Sequence, residues 1–219
     1  AGGYHYLQVL GTWRRAEVTA PTPADRPCGL VEQFVDHIAG LVTRDERSWL
    51  LDAVARDAHE WDEWFGRSTD IGGLERERNI LRYRPAPTQV RGCADAKLVD
   101  VARVVAAGLV AAGDDISVCL DPSFGEGLGR ALRSVGVAVT TASDEDWYAS
   151  LGAGRVRLVG GNPSRAADEV DGNPDLVVWA NEVTSAPQIE FLPFLREQSV
   201  SVTAHRFGNV DAGALSVRL

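Results

Sequence analysis

The chain has 219 residues, 45% hydrophobic and 24% charged, with a net charge of −9 and a pI near 4.9. That suffices for one large domain, or one domain with a helical annex. Its acidity removes the electrostatic footprint that nucleic acid or an anionic membrane surface would require. No apolar run approaches the roughly 20 residues of a membrane helix. The opening Ala1-Gly2-Gly3-Tyr4-His5 has neither the basic nor the apolar region of a signal peptide. Three scattered cysteines, Cys28, Cys93 and Cys119, without CxxC spacing, point to reduced thiols and a cytoplasmic location. The absence of methionine predicts a fragment or a processed product.

Tyr4 to Leu10 alternates as a short strand, and the three prolines between Ala20 and Pro27 mark a linker. Two helices are predicted next. The first carries Leu30, Phe34, Ile38 and Leu41 at helical spacing. The second is capped by Thr43 or Asp45, carries Leu50, Leu51, Val54, Ala58, Trp61 and Phe65, and stops at Gly66. Trp49, Trp61 and Trp64 belong either to helix packing or to a partner surface. Asn79 to Arg84 alternates, and Pro85 and Pro87 confine it to an edge or a strand end.

From Asp95 strands and helices alternate. Helices are predicted at Leu98–Ala112, Gly127–Val135, Asp144–Leu151 (with Ser143 as cap) and Ser164–Val170. Strands are predicted at Ile116–Leu120, Val137–Thr141, Arg155–Val159 and Leu176–Ala180. The fold class is therefore α/β: a Rossmann-like, mostly parallel, doubly wound sheet of five or more strands with an N-terminal helical annex. The fifth strand is predicted at Ser199–Thr203, whose Val200 and Val202 complete the sheet; truncating either is expected to cost about 1–3 kcal/mol. Arg196, Glu197, Gln198, His205 and Arg206 flank that strand. Charged groups of this density are rarely fully buried unless paired. Arg196, Glu197, His205 and Arg206 are therefore expected to make an interdomain contact; an ordinary last strand with a solvated tail is the alternative.

Motifs for chemistry are sparse. Gly125, Gly127 and Gly129 open a helix after a strand, but their spacing is G-x-G-x-G, and Asp121-Pro122 occupies the turn that a dinucleotide fingerprint keeps glycine-rich. Gly160-Gly161-Asn162 is a second anion-nest pattern that also reads as a plain turn. His59-Glu60 with Asp62 and Glu63 lacks the H-E-x-x-H zinc spacing and reads as a solvated acidic face. Asp36-His37 has no ligand partner at helical spacing, and His205 has no visible nucleophile to serve. No catalytic, cofactor-binding or metal residues are assigned.

Three stretches carry a family resemblance. Ala1 to Leu7 resembles the end of an aldehyde dehydrogenase domain. Glu77-Arg78-Asn79-Ile80-Leu81-Arg82-Tyr83-Arg84-Pro85 resembles a motif downstream of that domain in the proline utilization A (PutA) family. Leu192 to Gly208 resembles the C-terminal motif of the long PutA forms. Tyr4-His5 departs from the family pattern, and Ser123 to Gly129 matches no fixed motif of it. The residue patterns and the resemblance together give four segments: 1–19, the tail of a preceding dehydrogenase domain; 20–27, a linker; 28–76, a helical annex; and 77–219, a Rossmann-like domain with the motif 192–208. The resemblance further implies a non-catalytic lid supporting aldehyde dehydrogenase activity and channelling between two active sites. The parent would oxidise proline on FAD and L-glutamate γ-semialdehyde with NAD, while this chain would hold neither cofactor. The partner implied is the parent's dehydrogenase domain or a second subunit. A free-standing dinucleotide-binding oxidoreductase using the Gly125 to Gly129 loop is the alternative.

Overall fold

The computed structural model describes residues 29–74, 77–113, 115–203, 205–206 and 209–210. The expected Tyr4 to Leu10 strand, the Ala20 to Pro27 linker, the Ala1 to Leu7 motif and Cys28 lie outside the described residues.

Two helices open the described chain. α1 (Gly29–His37) buries Val31, Phe34 and Val35, and Ile38 follows them into the core. The buried stripe is thus rotated from the expected one, leaving Leu30 and Leu41 each 42% exposed. Leu41 instead lies against Gly127, where an added Cβ would come within 3.0 Å of its Cδ2. α2 (Arg44–Glu60) starts on a capping box. The Thr43 hydroxyl accepts from the Glu46 amide, and the Glu46 carboxylate accepts from the Thr43 amide at 2.8 Å. That settles the cap on Thr43 rather than Asp45. The helix widens into a π turn at Trp61–Phe65 and ends at Gly66, where a Cβ would meet the Trp61 carbonyl oxygen at 2.8 Å. Trp61 and Phe65 meet the Phe191 ring edge-on at 5.9 and 5.2 Å, and Trp49 and Trp64 also pack on the main core. The three tryptophans therefore serve helix packing.

Five short strands form a parallel sheet: β3 (Thr88–Gly92), β4 (Ile116–Leu120), β5 (Ala138–Thr141), β6 (Gly154–Val159) and β7 (Leu176–Trp179), in the order β5-β4-β3-β6-β7. α3 (Leu98–Ala112) and α4 (Gly125–Ser134) pack on one face, α5 (Asp144–Ala149) and α6 (Pro163–Glu169) on the other. The α/β Rossmann-like class holds. Its fifth strand is β3, at the centre, and not Ser199–Thr203. α3 is buried almost all round, as expected of an Ala/Val-rich helix that touches both the sheet and α2.

The predicted last strand belongs to a second sheet. β8 (Leu195–Thr203) pairs antiparallel over nine residues with β2 (Glu77–Pro85), and β1 (Thr69–Asp70) adds a short strand to the far side of β2. Pro85 ends its strand, as its missing N–H requires. Val200 and Val202 lie opposite Ile80 and Arg78, and both are only half-buried. They do not complete the parallel sheet. The core contribution of this region comes earlier, from a four-residue helix α7 (Pro187–Glu190) and from Phe191, Leu192, Phe194 and Leu195, none of which is exposed. Phe194 packs so close to α3 that a Cβ at Gly108 would sit 2.9 Å from its ring. His205–Arg206 (β9) pairs with Asn209–Val210 (β10) in a separate two-stranded piece.

Buried charges run through the core. In α3, Arg103 forks onto Asp57 of α2 at 2.6 and 2.8 Å and donates its Nε to the Thr184 carbonyl. The Thr184 amide donates to Glu190, which also accepts from Arg157 of β6. Both ion pairs are fully buried. Burial pushes the Asp57 carboxyl up to about 6 against the pull of Arg103, and the Glu190 charge adds to the rise. Such a group favours the folded state most below its ordinary value of 3.8 and loses that contribution as pH rises through about 6.

Candidate functional site

In a doubly wound sheet, ligands bind beyond the carboxyl ends of the strands, where the connections diverge to opposite sides. That point lies between β3 and β6. From β3 the chain runs through Cys93 to Lys97 into α3; from β6 it runs through Gly160 to Asn162 into α6. Gly160 and Gly161 both have left-handed φ, +72° and +69°. Their amides form the kind of nest that holds an anion.

The chain itself fills this crevice. The Asp95 carboxylate accepts the Gly161 amide at 2.7 Å. A Cβ on Gly160 would collide with the same carboxylate, and one on Gly161 would lie 2.6 Å from Cys93 Sγ and 2.7 Å from the Tyr148 hydroxyl. Tyr148, from α5, accepts the Asn162 amide at 2.8 Å and donates to the Asn162 carbonyl. Asn162 then caps α6 through the Ser164 amide. So Gly160-Gly161-Asn162 is more than a plain turn. The Gly161 amide that an anion would meet there is taken by an internal carboxylate.

Beside it, Arg91 of β3 is fully buried. It donates to Asp144 at 2.6 Å, to the Ala142 carbonyl at 3.1 Å and to Cys119 Sγ at 3.2 Å, with the Trp147 ring 5.3 Å away. Asp144 also accepts the Ala94 amide, while Ser143 caps α5 as expected. Cys93 sits in the same cluster. Burial, then the Asp144 charge, pushes its thiol up to about 12. At neutral pH it is a thiol, not a nucleophilic thiolate.

The Gly125 to Gly129 loop follows the second strand of the parallel sheet, not the first. Asp121 accepts the Ser123 amide there and starts a 3-10 turn, and Gly127 yields space to Leu41. The adjacent cleft, about 240 Å³, carries Asp121 and Glu126, and its arginine, Arg133, is engaged by Glu126 at 3.0 Å. The two carboxylates repel a pyrophosphate, and the arginine that could attract one is already paired. At one location Asp95 holds the Gly161 amide, and at the other Glu126 holds Arg133. A groove of about 710 Å³ lined by Gln89, Ser117, Thr140 and Trp147 lies at the amino ends of the strands, the end that doubly wound sheets leave without chemistry. His37 Nδ1 is 2.7 Å from Ser134 Oγ, but that hydroxyl donates to the Ala131 carbonyl, so the pair makes no activated nucleophile. Among the described residues no three His, Cys, Asp or Glu gather as metal ligands, and no helix is long and apolar enough to cross a membrane. Calorimetric titration of the chain with NAD is expected to give no binding near the micromolar range, about −8 kcal/mol. A micromolar isotherm would mean that Asp95 leaves the nest.

Strand alternation puts the first two expected contact residues, Arg196 and Glu197, on opposite faces of the ribbon. Arg196 is exposed at the base of the β2–β8 ribbon, opposite Arg84. Glu197, its neighbour in sequence, points to the other face, 3.5 Å from the Tyr83 hydroxyl. His205 and Arg206 lie beyond the ribbon in β9. The arginines that share the Arg196 face, Arg78, Arg82 and Arg84, were missed because their pairing spans more than a hundred residues. An alternating Arg-x-Arg before a proline was the available signal.

No protein-family model matches the chain, and no curated protein matches it. Solved structures do. PutA from Corynebacterium freiburgense aligns over 94% of this chain and 17% of its own, at 24% identity and TM-score 0.57. The fold is PutA-like. PutA from Bdellovibrio bacteriovorus, inactivated by N-propargylglycine, aligns over 71% of this chain and 20% of its own, at 16% identity and TM-score 0.49. An aldehyde dehydrogenase from Brucella melitensis biovar abortus 2308 aligns over 68% of this chain and 38% of its own, at 12% identity and TM-score 0.44. The chain spans about a fifth of the length of the PutA structures it matches.

Proposed function

We propose that the chain is a non-catalytic lid and interaction domain at the C-terminal end of a PutA-like, cytoplasmic, bifunctional enzyme of proline catabolism. In that enzyme proline is oxidised on FAD and L-glutamate γ-semialdehyde is oxidised with NAD. Both cofactors are held by other domains. This chain supports the aldehyde step and the passage of the intermediate between sites.

The observation that carries the reading is the crevice closed by Asp95, Tyr148 and Cys93. A Rossmann-like unit that fills its own anion nest keeps the architecture and gives up the ligand. What remains available is surface. β8 is the outer strand of the ribbon among the described strands, so its backbone can pair with another chain.

The test uses the longer enzyme that this reading requires. The gene should encode an aldehyde dehydrogenase domain immediately upstream of Ala1. Deleting residues 29–219 should lower NADH production from proline in the coupled assay well below that of the intact enzyme. It should leave proline oxidation measured with an artificial electron acceptor nearly unchanged. Unchanged coupled turnover after the deletion would overturn the lid assignment, and so would the absence of an upstream dehydrogenase domain.

A further inference from the structure

Strand alternation sorts the charges of the ribbon. Arg84 lies opposite Arg196, Arg82 opposite Gln198, Ile80 opposite Val200 and Arg78 opposite Val202. Side chains two residues apart share a face, so all four arginines of the ribbon project to one face. Its two glutamates, Glu77 and Glu197, fall on the other.

The Arg84–Arg196 pair stands out within this pattern. Like charges directly opposite in an antiparallel ladder destabilise it. Both residues are exposed. Among the described residues neither has an ion pair or hydrogen bond from its side chain, although the chain carries 31 acidic residues against 22 basic ones. A third guanidinium, Arg155, lies behind them. It donates to the carbonyls of Pro193 and Leu195 and lies over the Trp179 ring. Its pKa is lowered by burial and then by the charge of Arg196. An acidic molecule thus concentrates positive charge at one spot, where Arg84 and Arg196 have no side-chain partner among the described residues. Val200 and Val202, half-buried on the same face, place apolar area beside the guanidinium groups. Apolar area mixed with arginine is the composition of a protein interface. The net charge of −9 works against a nucleic acid or an anionic lipid surface.

We infer that the arginine face of the ribbon, anchored by Arg84 and Arg196, docks an acidic protein segment whose carboxylates take the two guanidinium forks. The lid reading supplies the location of that segment, on the dehydrogenase domain; the carboxylate chemistry stands on the ribbon alone. Each guanidinium offers a planar pair of donors matched to a carboxylate.

The test is fluorescence anisotropy of the 219-residue chain with a labelled peptide of alternating Glu and Val, which presents carboxylates on one strand face. Saturable binding is expected, lost at about 0.5 M salt. The double variant Arg84→Gln/Arg196→Gln should bind about tenfold more weakly or worse, with a urea midpoint no lower than wild type because a like-charge pair has gone. Arg44→Gln/Arg130→Gln removes the same charge elsewhere and should bind as wild type does. Equal affinity in the two double variants would overturn the inference. So would peptide binding no stronger than that of a Gln-Val control, or capture of inorganic phosphate or phosphatidylglycerol vesicles in place of the peptide. The two readings separate cleanly. If the ribbon variant loses the peptide while deletion of residues 29–219 leaves coupled turnover intact, docking stands and the lid fails. If turnover needs the domain but the peptide ignores the ribbon variant, only the docking inference fails.

Discussion

Replacing Arg157 by alanine is expected to destabilise the chain by about 3–5 kcal/mol, read as a lowered urea midpoint at pH 7. Arg157 and Glu190 are both without solvent exposure, and the guanidinium reaches the carboxylate at 3.1 to 3.3 Å. Removing the cation leaves Glu190 charged, buried and held by the Thr184 amide. The Thr184 carbonyl in turn accepts from Arg103, so the damage extends toward the Asp57 pair. Arg157→Met combined with Glu190→Leu removes both charges and should be near neutral, since an apolar pair of similar volume needs no desolvation. If the single variant is as stable as the double, Glu190 takes up a proton or water at little cost. The pair would then be incidental to the fold.

Phe194→Ala should cost a comparable amount, about 3–5 kcal/mol. The ring is fully buried and abuts Gly108 of α3, where no side chain could fill the space it leaves. Val202→Ala, by contrast, removes a half-buried group from the ribbon and should cost less than about 1 kcal/mol. The comparison separates the two halves of the 192–208 stretch. Its first residues are core, and its strand is surface. Equal losses at the two positions would restore the reading in which Val202 completes a sheet.

Four strands of the parallel sheet were legible because each is a short β-branched run between helices with caps and glycine stops. Thr43 and Ser143 sit where the capping pattern puts them. The ribbon was not legible. Ser199 to Thr203 shows the right period, but period alone does not name a partner, and Glu77 to Pro85 lies more than a hundred residues upstream. β3 was hidden for a related reason. Thr88-Gln89-Val90-Arg91-Gly92 has a polar residue on one face at each alternate position, because that face holds Arg91 and Gln89 against Asp144 and Trp147. The buried charges were equally opaque. Arg103 in an Ala/Val helix and Arg157 in Val-Arg-Leu-Val were the available signals, since a lone arginine amid buried apolar neighbours needs a buried carboxylate. The glycine pattern at Gly125 drew attention to the wrong strand. The nest that matters is Gly160-Gly161, and what fills it, Asp95, comes from a different loop.

The ribbon also fixes an order of events on the ribosome. Its two strands enclose the parallel sheet in sequence: everything from Ala86 to Phe194 lies between β2 and β8. As the chain is made, Glu77–Pro85 emerges early and has only the two residues of β1 to pair with until Leu195–Thr203 appears. The entropy of closing so long a loop grows only slowly with its length, and prior folding of the sheet brings the ends together. During that interval, however, a nine-residue strand stands with an open edge, the state in which nascent chains aggregate or swap partners. Arg78, Arg82 and Arg84 share one face of that waiting strand, and like charges on an edge disfavour pairing with an identical strand.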